Sequence, residues 1–433
     1  MRALPIAAAA LALSACAYPH TPPALPPVTA PPAAAAPAPV PAGEAMTVLI
    51  SIDGFRPDYL ARGITPNLDR IAAAGVSAEM RPSFPSKTYP NHWTLVTGLR
   101  PDRHGITANS MEDPARPGER FTMATDDPFW WNAAEPIWVT AQKAGIPAAA
   151  MFWPGANVAW GGVPDSAWPH TVANGMRPLD WQQYTQQMPN RQRVQTVLDW
   201  ARRPDAIRPR LVTLYFDVVD TAGHLHGPSS PQVNEAIAEV DARIGELQRG
   251  LAELGRAANL VIVSDHGMAA TSGERVIRLD RVVRPSDARV VESGPYATFA
   301  PVPGREAATA AALLRPHPHM TCWRKDAMPA RFHYGTNRRI PPFVCLAETG
   351  WETLPSAPAK AVNPGDHGFD NDAADMRAIF IASGPAFVAG QRLPVFDNVD
   401  VAPLLRTLLG LPAGERLDGS DAPFRAVLTA APR

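Results

Sequence analysis

Three cysteines in 433 residues are too few to build a disulfide scaffold. None stands in a Cys-x-x-Cys pair, which argues against a redox or metal role for them. An excess of charge of one sign is also missing. Lys+Arg 40 against Asp+Glu 41 leaves a formal net charge of −1, so no sequence-wide field draws nucleic acid or an anionic membrane, and any affinity for phosphate has to be local. There is no internal repeat and no apolar run long enough to cross a bilayer. What the chain does have is 46% hydrophobic residues, enough for the core of a large α/β body.

The front of the chain reads as an address. Met1-Arg2 followed by apolar Ala3 to Leu13 makes a positive start and a hydrophobic stretch too short to span a membrane, the pattern of an export signal over residues 1–16. Leu13-Ser14-Ala15-Cys16 resembles the lipobox of bacterial lipoproteins, in which the chain is cut before the cysteine and the cysteine carries lipid. Ordinary cleavage after Ala15-Cys16-Ala17 is the alternative. Residues 17–45 are almost entirely Pro and Ala, a linker whose composition favours extended polyproline II at about 3.1 Å per residue. The expected location is therefore the periplasm or cell envelope, with a membrane tether through Cys16. In that oxidising setting Cys322 and Cys345 remain as an even pair, and a disulfide between them is expected.

The body, 46–433, alternates buried strands with helices. Thr47-Val48-Leu49-Ile50-Ser51-Ile52, Leu211 to Phe216, Leu260 to Ser264 and Ala378 to Ala382 are apolar runs rather than alternations, as expected of strands covered on both faces. Thr65-Pro66 to Gly75 predicts a helix with Thr65 as N-cap and Pro66 at its first position. Pro231 to about Leu254 and Val401 to Leu409 predict two more. Between about 271 and 364 the pattern breaks into short strands, one helix around Arg305–Leu314 and many prolines, which reads as an inserted α+β subdomain. The fold class that follows is α/β, an open, mostly parallel sheet with helices on both faces.

Chemistry-bearing residues collect where these strands end, the usual home of active-site groups in open α/β sheets. Asp53 follows the first strand. Asp220-Thr221-Ala222-Gly223-His224 follows the second, and its two ligand-type residues are four apart, on one face of a helical turn. Asp265-His266-Gly267 follows the third, and His367-Gly368 lies just before the fourth. Thr88 sits in Lys87-Thr88-Tyr89-Pro90-Asn91-His92. Pro90 suits the first turn of a helix and Gly98 the residue past its end, so the Thr88 hydroxyl is expected at a helix N-terminus, where backbone N–H groups favour an anion. Each has a plainer explanation, such as a turn, a cap or a structural histidine; seven oxygen and nitrogen ligands together do not.

These segments, with Phe152-Trp153-Pro154-Gly155 and His367-Gly368-Phe369-Asp370-Asn371, resemble the nucleotide pyrophosphatase/phosphodiesterases of the alkaline phosphatase superfamily over nearly the whole body. The resemblance implies one zinc held by Asp53, Thr88, Asp265 and His266 and a second by Asp220, His224 and His367. It implies that Thr88 is the nucleophile, through a covalent threonine intermediate, and that Asn109 donates to a phosphoryl oxygen. Substrate would lie against Tyr89, Asn109 and Trp153, and a nucleotide diester or pyrophosphate would release a nucleoside 5′-monophosphate. His92 and His226 are surplus to two complete ligand sets.

Three rival readings are weighed. A threonine phosphomonoesterase of the same superfamily carries a Lys-x-Arg clamp where this chain has Phe152-Trp153-Pro154-Gly155. A choline-phosphodiesterase shares the zinc chemistry and also uses aromatic walls. A non-catalytic lipoprotein that binds phosphorylated ligands would not need a nucleophile.

Overall fold

The computed structural model describes residues 45–165, 167–168, 171–358 and 360–429. The export signal, the lipobox with Cys16 and nearly all of the linker lie outside these residues.

In chain order the elements that place the site begin with β1 (Met46–Ile52), α1 (Pro66–Ala73), β2 (Val76–Arg81) and α2 (Thr88–Thr97). Then come α3 (Ile137–Lys143), β3 (Ala148–Met151), β4 (Asp180–Gln182) and α4 (Asn190–Ala201). The next are β5 (Leu211–Phe216), α5 (Val218–His226), α6 (Pro231–Glu253) and β6 (Ala258–Val263). Further on lie β7 (Ala288–Glu292), β8 (Tyr296–Pro301), α7 (Glu306–Leu313), β9 (Met320–Arg324) and β10 (Phe343–Ala347). Last are β11 (Ala378–Ser383) and α8 (Val401–Leu409).

One nine-stranded sheet carries the fold, in the order Gln391–Arg392, β2, β11, β6, β1, β5, β3, β4, with Phe396–Asp397 also pairing β2. β6, β1, β5, β3 and β4 run parallel. β11 runs antiparallel to both of its neighbours, β6 and β2, so the sheet is mixed. Strand direction leaves no mark on a run that is apolar on both faces. The two faces do separate residue by residue: Leu49, Val261, Val263 and Phe380 pack with Trp93, Trp138 and Leu404 on the side of α2, α3 and α8. Val48, Ile50, Val212 and Ile262 pack with Leu68, Val197 and Ile244 on the side of α1, α4 and α6. This period of two inside a continuous apolar run is what a doubly covered strand requires.

Helix α1 begins where its sequence indicates, but Thr65 does not cap it. The Thr65 hydroxyl donates to Asp69 Oδ1 at 3.1 Å, and the exposed amides of Asn67 and Leu68 are instead taken by the Asp241 carboxylate of α6, at 3.1 and 2.8 Å. A carboxylate there satisfies the orphan donors and the helix dipole together.

Residues between 271 and 364 form a separate four-stranded antiparallel sheet, β7-β8-β10-β9, with α7 and its own apolar cluster. Where the segment leaves and rejoins the core, Ala269–Ala270 pairs with Gly365–Asp366. Cys322 and Cys345 face each other across β9 and β10 and are bonded. Among the described residues no helix is long and apolar enough to cross a membrane.

Candidate active site

The parallel strands all end on one edge of the sheet, and the segments after β1, β5 and β6 bring Asp53, Asp220 and Asp265 together there. Helix α2 points its first turn at the same place: Lys87 is the extended residue before it and Thr88 its first helical residue, while Gly98 ends it at φ 69°. The left-handed backbone at Gly98 is one that residues with a Cβ adopt at a cost.

Thr88 Oγ1 lies 3.3 Å from His266 Nε2, and His266 Nε2 lies 2.9 Å from Asp265 Oδ2 and 3.4 Å from Asp53 Oδ1. A second set meets at Asp220 Oδ1, 3.5 Å from His224 Nε2 and 3.6 Å from His367 Nε2. The His266 and His367 rings stack with centroids 3.5 Å apart, which joins the two sets. Three groups among the described residues have ligand atoms close enough to share an ion: Asp53, Asp265 and His266; Asp220, His266 and His367; His224, Asp366 and His367.

The donor set fits divalent cations. Asp53 Oδ1 and Asp220 Oδ1 are buried with no hydrogen-bond partner, an expensive state for carboxylates without a counter-charge. Burial and the neighbouring Asp265 and Asp220 carboxylates push Asp53 well above the ordinary carboxylate range. Burial likewise raises Asp220. Burial would raise Asp265 too, but His266 and His92 beside it hold it well below. The same pairing raises His266 despite its burial.

Ring orientation sorts the histidines. His224, His266 and His367 each donate Nδ1–H to a backbone carbonyl, of Gly365, Gly267 and Ser86, all at 2.9 Å. Their Nε2 atoms are thereby turned to the carboxylates, the arrangement that fixes the tautomer of a metal-ligating imidazole. His92 has both nitrogens engaged, Nδ1 with the Thr88 carbonyl and Nε2 with Ser51 Oγ, both at 2.9 Å. It braces the first turn of α2 at Thr88. His226 is exposed at the end of α5.

Other candidates fall around an open cleft of about 390 Å³ lined by Asp53, Thr88, Tyr89, Trp153, Tyr184 and Asp220 among others. Asn109 Oδ1 accepts from the Tyr89 amide at 2.9 Å, leaving its NH₂ as the free donor. Trp153 is buried, and its indole N–H is spent on the His92 carbonyl; it serves as wall rather than as donor.

Several contributors escaped sequence reasoning. Tyr215 donates its phenol to Asp53 Oδ2 at 2.7 Å. Lys87, just before Thr88, pairs with Asp366, just before His367, at 3.1 Å. Arg193 of α4 pairs with Asp217 at 2.7 Å, and Tyr184 donates to the other Asp217 oxygen at 2.8 Å. The only available hint was position: Tyr215 and Asp217 flank the end of β5, and Lys87 and Asp366 adjoin motif residues.

An open α/β sheet with a threonine at a helix start facing a crowded carboxylate–imidazole cluster defines a metal-dependent hydrolase acting on phosphoryl groups. The comparisons agree. The sequence model described as type I phosphodiesterase / nucleotide pyrophosphatase matches residues 47–370. A pyrophosphatase/phosphodiesterase of Schizosaccharomyces pombe is 36% identical over 391 residues, covering 86% of this chain and 78% of the relative. The bis(5′-adenosyl)-triphosphatase of Xenopus laevis is 36% identical, covering 84% of this chain and 77% of that one. Among solved structures, murine ectonucleotide pyrophosphatase / phosphodiesterase 5, in an inactive form complexed with AMP, superposes with a TM-score of 0.82 at 34% identity, covering 89% of this chain and 100% of the other. The chain belongs to the type I phosphodiesterase / nucleotide pyrophosphatase family. It is an enzyme of that type, with that family's metal dependence.

Proposed function

We propose that the protein hydrolyses nucleotide phosphodiester and pyrophosphate bonds to release a nucleoside 5′-monophosphate, with Thr88 as nucleophile. The observation that carries this is the Thr88 hydroxyl in a cleft whose lining contains three aspartates and several aromatic residues but no Lys, Arg or His. A monoester dianion needs a positive clamp beyond the metals. A diester monoanion does not.

Asp53, Thr88, Asp265 and His266 would hold one zinc, and Asp220, His224 and His367 the other. Zinc in these sites supplies positive charge for the phosphoryl oxygens and lowers the pKa of a hydroxyl beside it. The chain's own part follows from its geometry. The His92 bond to the Thr88 carbonyl and the Lys87–Asp366 pair fix the first turn of α2, so Thr88 Oγ is held for attack on phosphorus. Its bond to phosphorus forms as the bond to the leaving oxygen breaks, and water then releases the nucleotide from Thr88. The Asn109 NH₂ donates to a phosphoryl oxygen. The Tyr89 ring, packed edge-on against Phe121, offers a face to a nucleobase, worth roughly 1–3 kcal/mol.

A choline ester would want an uncompensated anion near the aromatic wall. The candidate, Asp217, is already neutralised by Arg193, which favours the nucleotide. We further propose residues 46–433 as the catalytic body with 271–364 as its insert, export to the cell envelope, and a lipid tether at Cys16.

The test is a hydrolysis panel on zinc-loaded protein. kcat/KM for an aryl nucleoside 5′-phosphodiester should exceed that for the aryl monoester and for a choline-phosphate ester. A better monoester or choline substrate overturns the assignment of this cleft.

A further inference from the structure

Six of the twelve large apolar side chains that the described residues expose fall between Met123 and Tyr184. Two of them, Met123 and Tyr184, line the cleft itself. The sheet ends at β4, a three-residue edge strand: Leu179 immediately before it is 67% exposed, Trp181 lies within it, and Tyr184 follows it at the cleft. A short hairpin, Val163–Pro164 paired with Val172–Ala173, springs from the segments that flank the cleft, where Trp160 bridges Met176. It carries Val163 at 65% and, beyond its last pair, Trp168 at 86% exposure. Met123, 56% exposed, stands at the cleft as well.

Scattered exposed apolar residues are ordinary, but a cluster of tryptophan, leucine and valine beside an active site marks an interaction surface. Arg177 lies over the Trp181 ring at 5.3 Å and Lys143, itself paired with Glu135, over the Trp160 ring at 4.9 Å, and a cation beside an aromatic ring is a combination that suits a bilayer interface. Asp180, the acid within β4, is neutralised by Arg203.

We propose that this rim docks on the surface of a lipid bilayer, so that the cleft opens at the headgroup layer. The length of chain ahead of the body permits it. Met46 starts β1 at the edge of the sheet opposite the active site, and a Pro/Ala-rich sequence of the length of 17–45 reaches on the order of 90 Å at polyproline spacing. β1, with 7 residues, spans only about 23 Å. A chain anchored by its first residues therefore has reach to turn either edge of the sheet to the membrane. The inference rests on the proposed export and tether only for this reach.

The experiment uses the full chain carrying Cys16→Ser, which removes the acyl anchor, with vesicles of brominated phosphatidylcholine. Tryptophan emission should be quenched at millimolar lipid. In the same chain with Trp168→Ser and Leu179→Ser the affinity for vesicles should fall about tenfold or more, with turnover of a soluble nucleoside diester unchanged. Absence of quenching in the parent, or quenching insensitive to the two substitutions, overturns the proposal. So does parallel loss of soluble turnover, which would make the patch part of the fold, or a dimer dissolved by Leu179→Ser without any quenching, which would make it an interface between copies. Mass spectrometry of the mature N-terminus decides the anchor separately.

Discussion

Tyr215 holds one oxygen of Asp53 and leaves the other bare: its phenol donates to Oδ2 at 2.7 Å, while Oδ1 is buried beside His266 with no hydrogen-bond partner. The carboxylate is thus fixed in rotation with one lone-pair face turned to the cluster. Partners of this kind orient a ligand and are worth 10- to 100-fold in metal affinity where they have been removed. Tyr215→Phe is expected to weaken metal binding by roughly that factor with the fold intact, read by competition with a chelator.

The two ligand sets predict unequal metal loss. After dialysis, Asp265→Asn should deplete the site at Thr88 first and His224→Ala the other, each retaining close to one zinc per chain. Elemental analysis that finds one metal or none in the fully active parent contradicts two sites.

The Asp113 side chain is completely buried and takes Arg338 at 2.9 Å and Arg339 at 2.7 Å. Arg339 is itself 5% exposed, so Asp113→Ala strands a buried guanidinium and should cost about 3–5 kcal/mol of stability. Burial would raise the Asp113 carboxyl, but the two guanidiniums hold it at about 2. Its contribution is therefore complete above the ordinary carboxylate pKa near 4 and is lost as pH falls toward 2. Acid unfolding should accordingly begin at higher pH in the variant than in the parent, and thermal melts across that window measure it.

Cys322 and Cys345 lie 23 residues apart in sequence and are bonded. Peptide mapping of exported protein should recover them as one cross-linked pair, and Cys16 as an acylated N-terminus. A mature chain that begins at Tyr18 refutes the tether and leaves the catalytic reading untouched.

The gathering of these residues was legible because ligand-type side chains stand in short segments beside continuous apolar runs: Asp53 after β1, Asp220 and His224 after β5, Asp265 and His266 after β6. A strand covered on both faces and a ligand at its end are local signals. The rest depends on residues brought together from far along the chain. Asp241 capping α1, Tyr215 meeting Asp53, and Asp113 between two arginines each link positions separated by more than 150 residues, and no local pattern encodes them. The reversal of β11 was equally invisible, since Ala378 to Ser383 is buried on both faces whichever way it runs. Edge strand β4 was missed because three residues with an exposed tryptophan give no alternation to read.

The central claim is that Thr88 attacks phosphorus, and the most direct measurement is acid-quenched peptide mass spectrometry during turnover of a nucleoside 5′-phosphodiester. The account predicts a nucleotidyl adduct on the peptide containing Thr88, absent from Thr88→Ala, whose turnover falls by orders of magnitude while it still binds metal. Near-normal diesterase turnover in Thr88→Ala, with no adduct in the parent, would contradict it.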